Sequence, residues 1–172
     1  ERFFPKEKLI LTGNPVRKDI LNPDAKKAEA LVHFSLPADA KTIFITGGSL
    51  GAQSINEAIA EQIDRFKSAD VQIIWQAGKL YVDRFRSIVE DAPNIQIMAF
   101  VDRMDLAYAA ADVVVCRAGA STISELCLAG KPAILVPSPN VAEDHQTKNA
   151  MALVKVDAAQ MVKDASAKAE LV

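Results

Sequence analysis

Thr42-Ile43-Phe44-Ile45-Thr46-Gly47-Gly48-Ser49-Leu50-Gly51-Ala52 is the stretch on which the fold turns. Its first residues are β-branched or aromatic and read as a buried strand. A glycine-rich turn follows, and a helix-period segment runs over Ser54–Phe66. A strand that passes through a tight turn into a helix is one unit of an alternating β/α chain, and that unit recurs. Further β-branched runs occupy Lys8–Thr12, Gln72–Gln76, Ile95–Phe100, Asp112–Arg117 and Ala133–Pro137. Further helix-period segments are Ala25–Phe34, Tyr81–Val89, Met104–Ala111, Thr122–Ala129 and His145–Val154. Continuous apolar stretches such as Val113-Val114-Val115 suit a sheet covered on both faces. The alternation predicts an α/β fold, a Rossmann-like doubly wound parallel sheet of about six strands joined by right-handed crossovers.

The 172 residues fit a single domain over 1–172. Residues 1–7 read as a lead-in linker, within a Pro-marked segment to Pro23 that includes an edge strand. Residues 157–172, rich in Ala and Lys, read as a surface helix cut short. A start without Met and a stop inside that helical pattern predict a piece of something longer. Half of the residues are hydrophobic, about a quarter are charged, and the net charge is -2, as in ordinary globular proteins. Basic residues (20) are outnumbered by acidic ones (22), which argues against a nucleic-acid partner. No apolar run reaches the ~18 residues of a membrane span, so a soluble, cytoplasmic domain is expected. Cys116 and Cys127 lie in apolar contexts without a CxxC or Cys/His cluster and read as two reduced, buried thiols. There is no Asp-x-Asp motif, and neither a bound metal nor a cofactor is expected.

Ligands of such sheets bind beyond the carboxyl ends of the strands. At Gly47–Ala52, glycines allow close backbone approach and the following helix start attracts an anion, with Ser49 as an added donor. The turn is not a Walker A loop, because no Lys-Ser/Thr pair follows it. Nor is it a dinucleotide fingerprint, since GxGxxG is absent and the next strand ends in Gln76-Ala77-Gly78 without an acidic residue. A tight strand-to-helix turn explains it equally well. A second such turn, Ala118-Gly119-Ala120-Ser121, opens the helix at Thr122, and two such helix starts could grip a diphosphate. Thr122-x-x-Glu125 matches a capping box; the alternative gives the Glu125 carboxylate two ribose hydroxyls to accept. In a third cluster, Glu143 and Asp144 read as charging and capping the start of a helix; the functional alternative gives Gln146 and Asn149 the hydrogen bonds to a polar ligand such as a sugar. Asp144, His145 and Ser121 do not make a hydrolytic triad, because the nucleophile elbow GxSxG is missing. His33 reads as a surface or packing residue.

Taken in order, Thr12-Gly13-Asn14-Pro15-Val16-Arg17, Gly47–Ala52, Phe100-Val101-Asp102-Arg103-Met104, Cys116–Glu125 and Glu143–Ala150 resemble the carboxyl-terminal half of the bacterial undecaprenyldiphospho-muramoylpentapeptide N-acetylglucosaminyltransferases. The resemblance spans Thr12 to about Leu153. It implies one half of a GT-B glycosyltransferase, the donor-binding domain of an enzyme of peptidoglycan synthesis that moves N-acetylglucosamine from UDP-N-acetylglucosamine to a lipid-linked muramoyl pentapeptide. By that resemblance Arg17, Gly48 and Ser49 hold the diphosphate, and Val101 and Met104 border the uracil. Ala120, Ser121 and Thr122 lie against phosphate, Glu125 takes the ribose and Gln146 a sugar hydroxyl. Arg17, otherwise an exposed arginine after a Pro turn, could clamp phosphate oxygens bidentately. Position 147 is Thr where some relatives carry a second sugar-reading Gln. The resemblance also implies that the acceptor site and general base lie in an amino-terminal domain that is absent here. It places the whole enzyme peripherally on the cytoplasmic face of the inner membrane, with this half binding its ligand without turnover. The rival readings are another UDP-sugar enzyme of this architecture, such as a glycolipid glycosyltransferase or a UDP-N-acetylglucosamine epimerase, and a non-catalytic nucleotide-binding module.

Overall fold

Phe44 and Ile45 are neighbours in sequence and both fully buried, but they serve opposite faces of one sheet. Phe44 packs in a cluster with Ile74, Tyr108 and Leu126, whereas Ile45 packs with Ile55, Trp75 and Val115. Each aliphatic side chain buried this way contributes ~1.5–3 kcal/mol, which is why the central strands tolerate no polar alternation. The computed structural model describes residues 4–10 and 12–171. In chain order its elements are α1 (Lys27–His33), β1 (Lys41–Thr46), α2 (Gln53–Glu61), α3 (Ile63–Ser68), β2 (Val71–Gln76), α4 (Val82–Arg86) and β3 (Ile95–Met98). They continue with α5 (Met104–Ala110), β4 (Val113–Cys116), α6 (Ala120–Ala129), β5 (Ala133–Leu135), α7 (His145–Val154), β6 (Ala159–Met161) and α8 (Ala167–Glu170). All paired strands are parallel, in the order β3-β2-β1-β4-β5-β6. That order reverses direction between β1 and β4, the switch point of a doubly wound sheet.

The sheet has six strands, but not the six expected from sequence. Lys8–Thr12, of which Leu11 lies outside the described residues, forms no strand: Leu9 is extended yet unpaired, and Ile10 is 87% exposed. The sixth strand comes from the tail expected to be helical. Asp157 turns the chain at φ 54, Ala159 and Met161 are half-buried with Gln160 exposed between them, and the Val162 N–H donates to the Leu135 carbonyl at 2.9 Å. Ala-rich composition hid a three-residue strand pattern there, and α8 then packs on α2 through Ala167 and Leu171. The helix expected over Ser54–Phe66 breaks at Gln62, whose carbonyl accepts from the Arg65 and Phe66 N–H groups to start α3. Cys116 is buried as expected, but Cys127 sits on the outer face of α6 and is exposed.

Asp105, 2% exposed, ties α5 to the α1 region. Its carboxylate accepts from Lys26 Nζ at 2.7 Å and from Arg103 Nε and Nη2 at 2.9 Å each. The bonded Arg103 guanidinium, followed by Lys26, holds the Asp105 carboxyl well below the usual carboxylate range despite its burial. A folded-state pKa below the unfolded one adds stability above the unfolded pKa, and that stability drains away as pH falls below it. Melting temperature should therefore drop on acidification below about pH 4. In Asp105→Asn the chain should melt lower at neutral pH and show a flatter acid limb; an unchanged limb would remove Asp105 from the account.

Candidate functional site

The strand register sets Gln76, Thr46, Cys116 and Leu135 side by side along the carboxyl edge of the sheet. The turn after β1 and the turn after β4 therefore flank the switch point. The first is packed against the turn after β2: a Cβ on Gly51 would lie 2.1 Å from the Ala77 carbonyl oxygen, and Gly51 itself stands at φ +80. Gly48, at φ +84, has open space where a Cβ would go, so its left-handed backbone presents the turn to solvent. The Gly51 N–H donates to the Gly48 carbonyl at 3.0 Å, while the Ser49 and Leu50 amides have no protein acceptor among the described residues. Across the switch point, α6 starts after Gly119 with no side-chain cap. The Ala120, Ser121 and Thr122 amides thus lack intrahelical acceptors, the arrangement that attracts anions.

Two clefts meet between these turns, sharing Gly48, Ser49 and Arg117. The larger, about 720 Å³, is lined by Ser54, Tyr81, Asn140 and Gln146 among others. The smaller, about 170 Å³, is lined by Gln76, Phe100, Met104, Tyr108, Thr122 and Glu125. Of the ten residues singled out in sequence, Gly48, Ser49, Met104, Thr122, Glu125 and Gln146 line one cleft or both. Ala120 and Ser121 are exposed beside them at the first turn of α6. Val101 is 2% exposed and its side chain joins the core, so only its backbone faces the neighbouring loops. Arg17 is exposed outside both linings, 3.9 Å from Asp19. Its segment is docked on α6 by Asn14, whose Nδ2 donates to the Ala120 carbonyl and to Ser124 Oγ.

The capping box does not form. The N-cap is Gly119, which puts Glu125 in the second turn, and there it accepts a hydrogen bond from the buried Tyr108 hydroxyl at 3.0 Å. Burial first, then the Glu125 charge, raises the Tyr108 pKa, and the same two causes push the Cys116 thiol up to about 12. Neither group is a base or nucleophile near neutrality. On the other side, Gln146 Oε1 accepts the Ser138 N–H at 2.9 Å and the Ala118 N–H at 3.3 Å, which leaves its NH2 donors for the cleft. Asn149 Nδ2 is turned to the Ala118 carbonyl at 3.0 Å, and Thr147 donates its hydroxyl to Asp144 at 2.7 Å. His145 Nδ1 lies 2.9 Å from the Ala142 carbonyl, and no Ser/His/Asp relay forms.

Three groups escaped sequence reasoning. Tyr108, mid-helix in an apolar run, is legible only as core. Gln76 could have been found from its place at the end of a strand. Arg117 lines both clefts and is bonded to Asp164 of the tail and, through Nη2, to Ser54 at 2.9 Å. Among the described residues Arg117 is the one cationic residue in those two linings, and its partner Asp164 lies in a segment expected to be a plain helix.

A parallel sheet of this order, with glycine turns and two helix starts facing its switch point, defines the Rossmann-like class of α/β domains. Within that class, residues 42–172 match the model of the glycosyltransferase family 28 C-terminal domain, and the chain belongs to this family. It is 55% identical over 170 residues, 99% of its length, to a UDP-N-acetylglucosamine--N-acetylmuramyl-(pentapeptide) pyrophosphoryl-undecaprenol N-acetylglucosamine transferase of Flavobacterium psychrophilum, covering 46% of that protein. To the enzyme of the same name from Parabacteroides distasonis it is 53% identical, covering 47% of it. The crystal structure of Acinetobacter baumannii MurG superposes with a TM-score of 0.69 at 32% identity, over 95% of this chain and 46% of that one. The chain spans about half the length of the curated relatives it matches. Among the described residues, no helix is long and apolar enough to cross a membrane.

Proposed function

We propose that this chain is the donor-binding half of a glycosyltransferase that moves N-acetylglucosamine from UDP-N-acetylglucosamine to a lipid-linked muramoyl pentapeptide. The observation that carries the reading is the pairing of two uncapped, glycine-preceded turns across the switch point, with Glu125 on one side and the Gln146 donors on the other. The names of the relatives, at 55% and 53% identity, supply the sugar and the acceptor. In this reading the Gly48 turn presents the free Ser49 amide and hydroxyl to the diphosphate, the Ala120, Ser121 and Thr122 amides and the Ser121 and Thr122 hydroxyls receive it from the other side, and Arg17 closes over it. Met104 and the Val101 backbone border the uracil, the free oxygen of Glu125 accepts from the ribose, and Gln146 donates to the sugar. The whole of 1–172 acts as one donor domain, while acceptor site and general base lie in an amino-terminal domain at the cytoplasmic face of the inner membrane.

Chemically, a hydroxyl of the acceptor sugar attacks the anomeric carbon, giving its proton to the general base of the amino-terminal domain, as the bond to the UDP oxygen breaks and UDP leaves. Negative charge then grows on the leaving diphosphate, where oriented amides and helix N-termini stabilise it best; one such donor is worth about 3 kcal/mol. The test is transfer from UDP-N-acetylglucosamine to the lipid acceptor by this chain joined to an acceptor-binding half. Transfer with N-acetylglucosamine and not with glucose is the expected result. UDP binding without any transfer would favour the non-catalytic module, and epimerised product would favour the epimerase.

A further inference from the structure

Gln76 ends β2 and is 3% exposed, yet its carboxamide reaches three separate places. Nε2 donates to Thr46 Oγ1 at 3.0 Å and to the Gly48 carbonyl at 2.9 Å, and Oε1 accepts the Val101 N–H at 2.7 Å. Thr46 Oγ1 in turn accepts the Gly48 N–H at 3.1 Å. Gly48 is thus gripped at both its N–H and its carbonyl, in a left-handed conformation that solvent alone would leave free to vary. Among the described residues no backbone hydrogen bond joins the Gly47–Ala52 turn to the Phe100–Arg103 segment. The Gln76 carboxamide is the hydrogen-bonded link between them.

We infer that Gln76 is a positioning residue of the nucleotide site: it sets the spacing between the turn that receives phosphate and the loop that borders the base. The inference rests on the UDP reading above. A nucleoside diphosphate touches both walls at once, whereas a nucleoside touches only the base and ribose wall. Letting the Gly48 turn drift relative to Val101 therefore weakens UDP more than uridine, because a site is only as exact as the buried residues that hold its contacts.

The experiment titrates UDP and uridine calorimetrically into the wild-type chain, Gln76→Met and Thr46→Val, and records the melting temperature of each. Gln76→Met keeps the side-chain length and removes all three bonds. Thr46→Val keeps the shape and loosens only the Gly48 side. The preference for UDP over uridine should fall about tenfold in both variants, while Thr46→Val keeps uridine affinity within about twofold. An unchanged preference in the folded variants, whether or not the melting temperature falls, overturns the inference and makes Gln76 a packing residue. If Gln76→Met does not fold, the Thr46→Val preference decides alone. Failure of the wild-type chain to bind UDP is a different result, which overturns the UDP reading and this inference with it.

Discussion

Gly51→Ala should lower the stability of the chain by about 3 kcal/mol. Two costs add. The position stands at φ +80, where a Cβ is strained, and that Cβ would lie 2.1 Å from the Ala77 carbonyl oxygen and 2.9 Å from Tyr81 Cδ2. The carbonyl cannot yield easily, because it also accepts the buried Asn56 Nδ2 at 2.8 Å, and Asn56 accepts from Trp75 Nε1 at 2.9 Å. For a chain of this size the melting temperature should fall by roughly 6–12 °C. Calorimetric unfolding reads this directly. Gly48→Ala is the control, since its Cβ would meet nothing within 4 Å and only the backbone strain at φ +84 remains. A loss at Gly51 no larger than that at Gly48 would mean the two turns are not packed as described.

Removing the Glu125 carboxylate should weaken UDP binding about 10- to 100-fold, the equivalent of the ~1.5–3 kcal/mol typical of hydrogen bonds to a charged acceptor. The alanine variant should also melt lower, because the Tyr108 hydroxyl, in a residue 0% exposed, loses its acceptor. Glu125→Gln separates the two effects. Its amide oxygen can still accept from Tyr108, so the melting temperature should stay near wild type while UDP affinity falls. An alanine variant that melts lower but binds UDP as tightly as wild type would reduce Glu125 to a partner of Tyr108.

How much of this was legible in sequence follows from distance along the chain. The strand and turn at Thr42–Ala52 could be read because β-branched run, glycines and helix period are contiguous, and the parallel order follows once such units alternate. β6 was not legible, because three residues pair only where β5 offers an edge, and the β5 pairing is a contact between distant segments. The same limit governs the site. Glu125 was singled out, but a local capping box and a contact to Tyr108, 17 residues away, look alike until the helix start is fixed at Gly119. Asp164 and Arg117 meet across 47 residues, and no local pattern announces such a pair. Arg17 shows the reverse case, a residue picked by motif whose side chain lies outside both clefts.

Paired turns that form a uridine diphosphate site should bind uridine nucleotides on their own, without an acceptor. UDP, UDP-N-acetylglucosamine and ADP are each titrated into the folded 172-residue chain and followed by calorimetry. Both uridine nucleotides should bind in clear preference to ADP. Preference for ADP, or no heat from UDP while the chain is demonstrably folded, would contradict it.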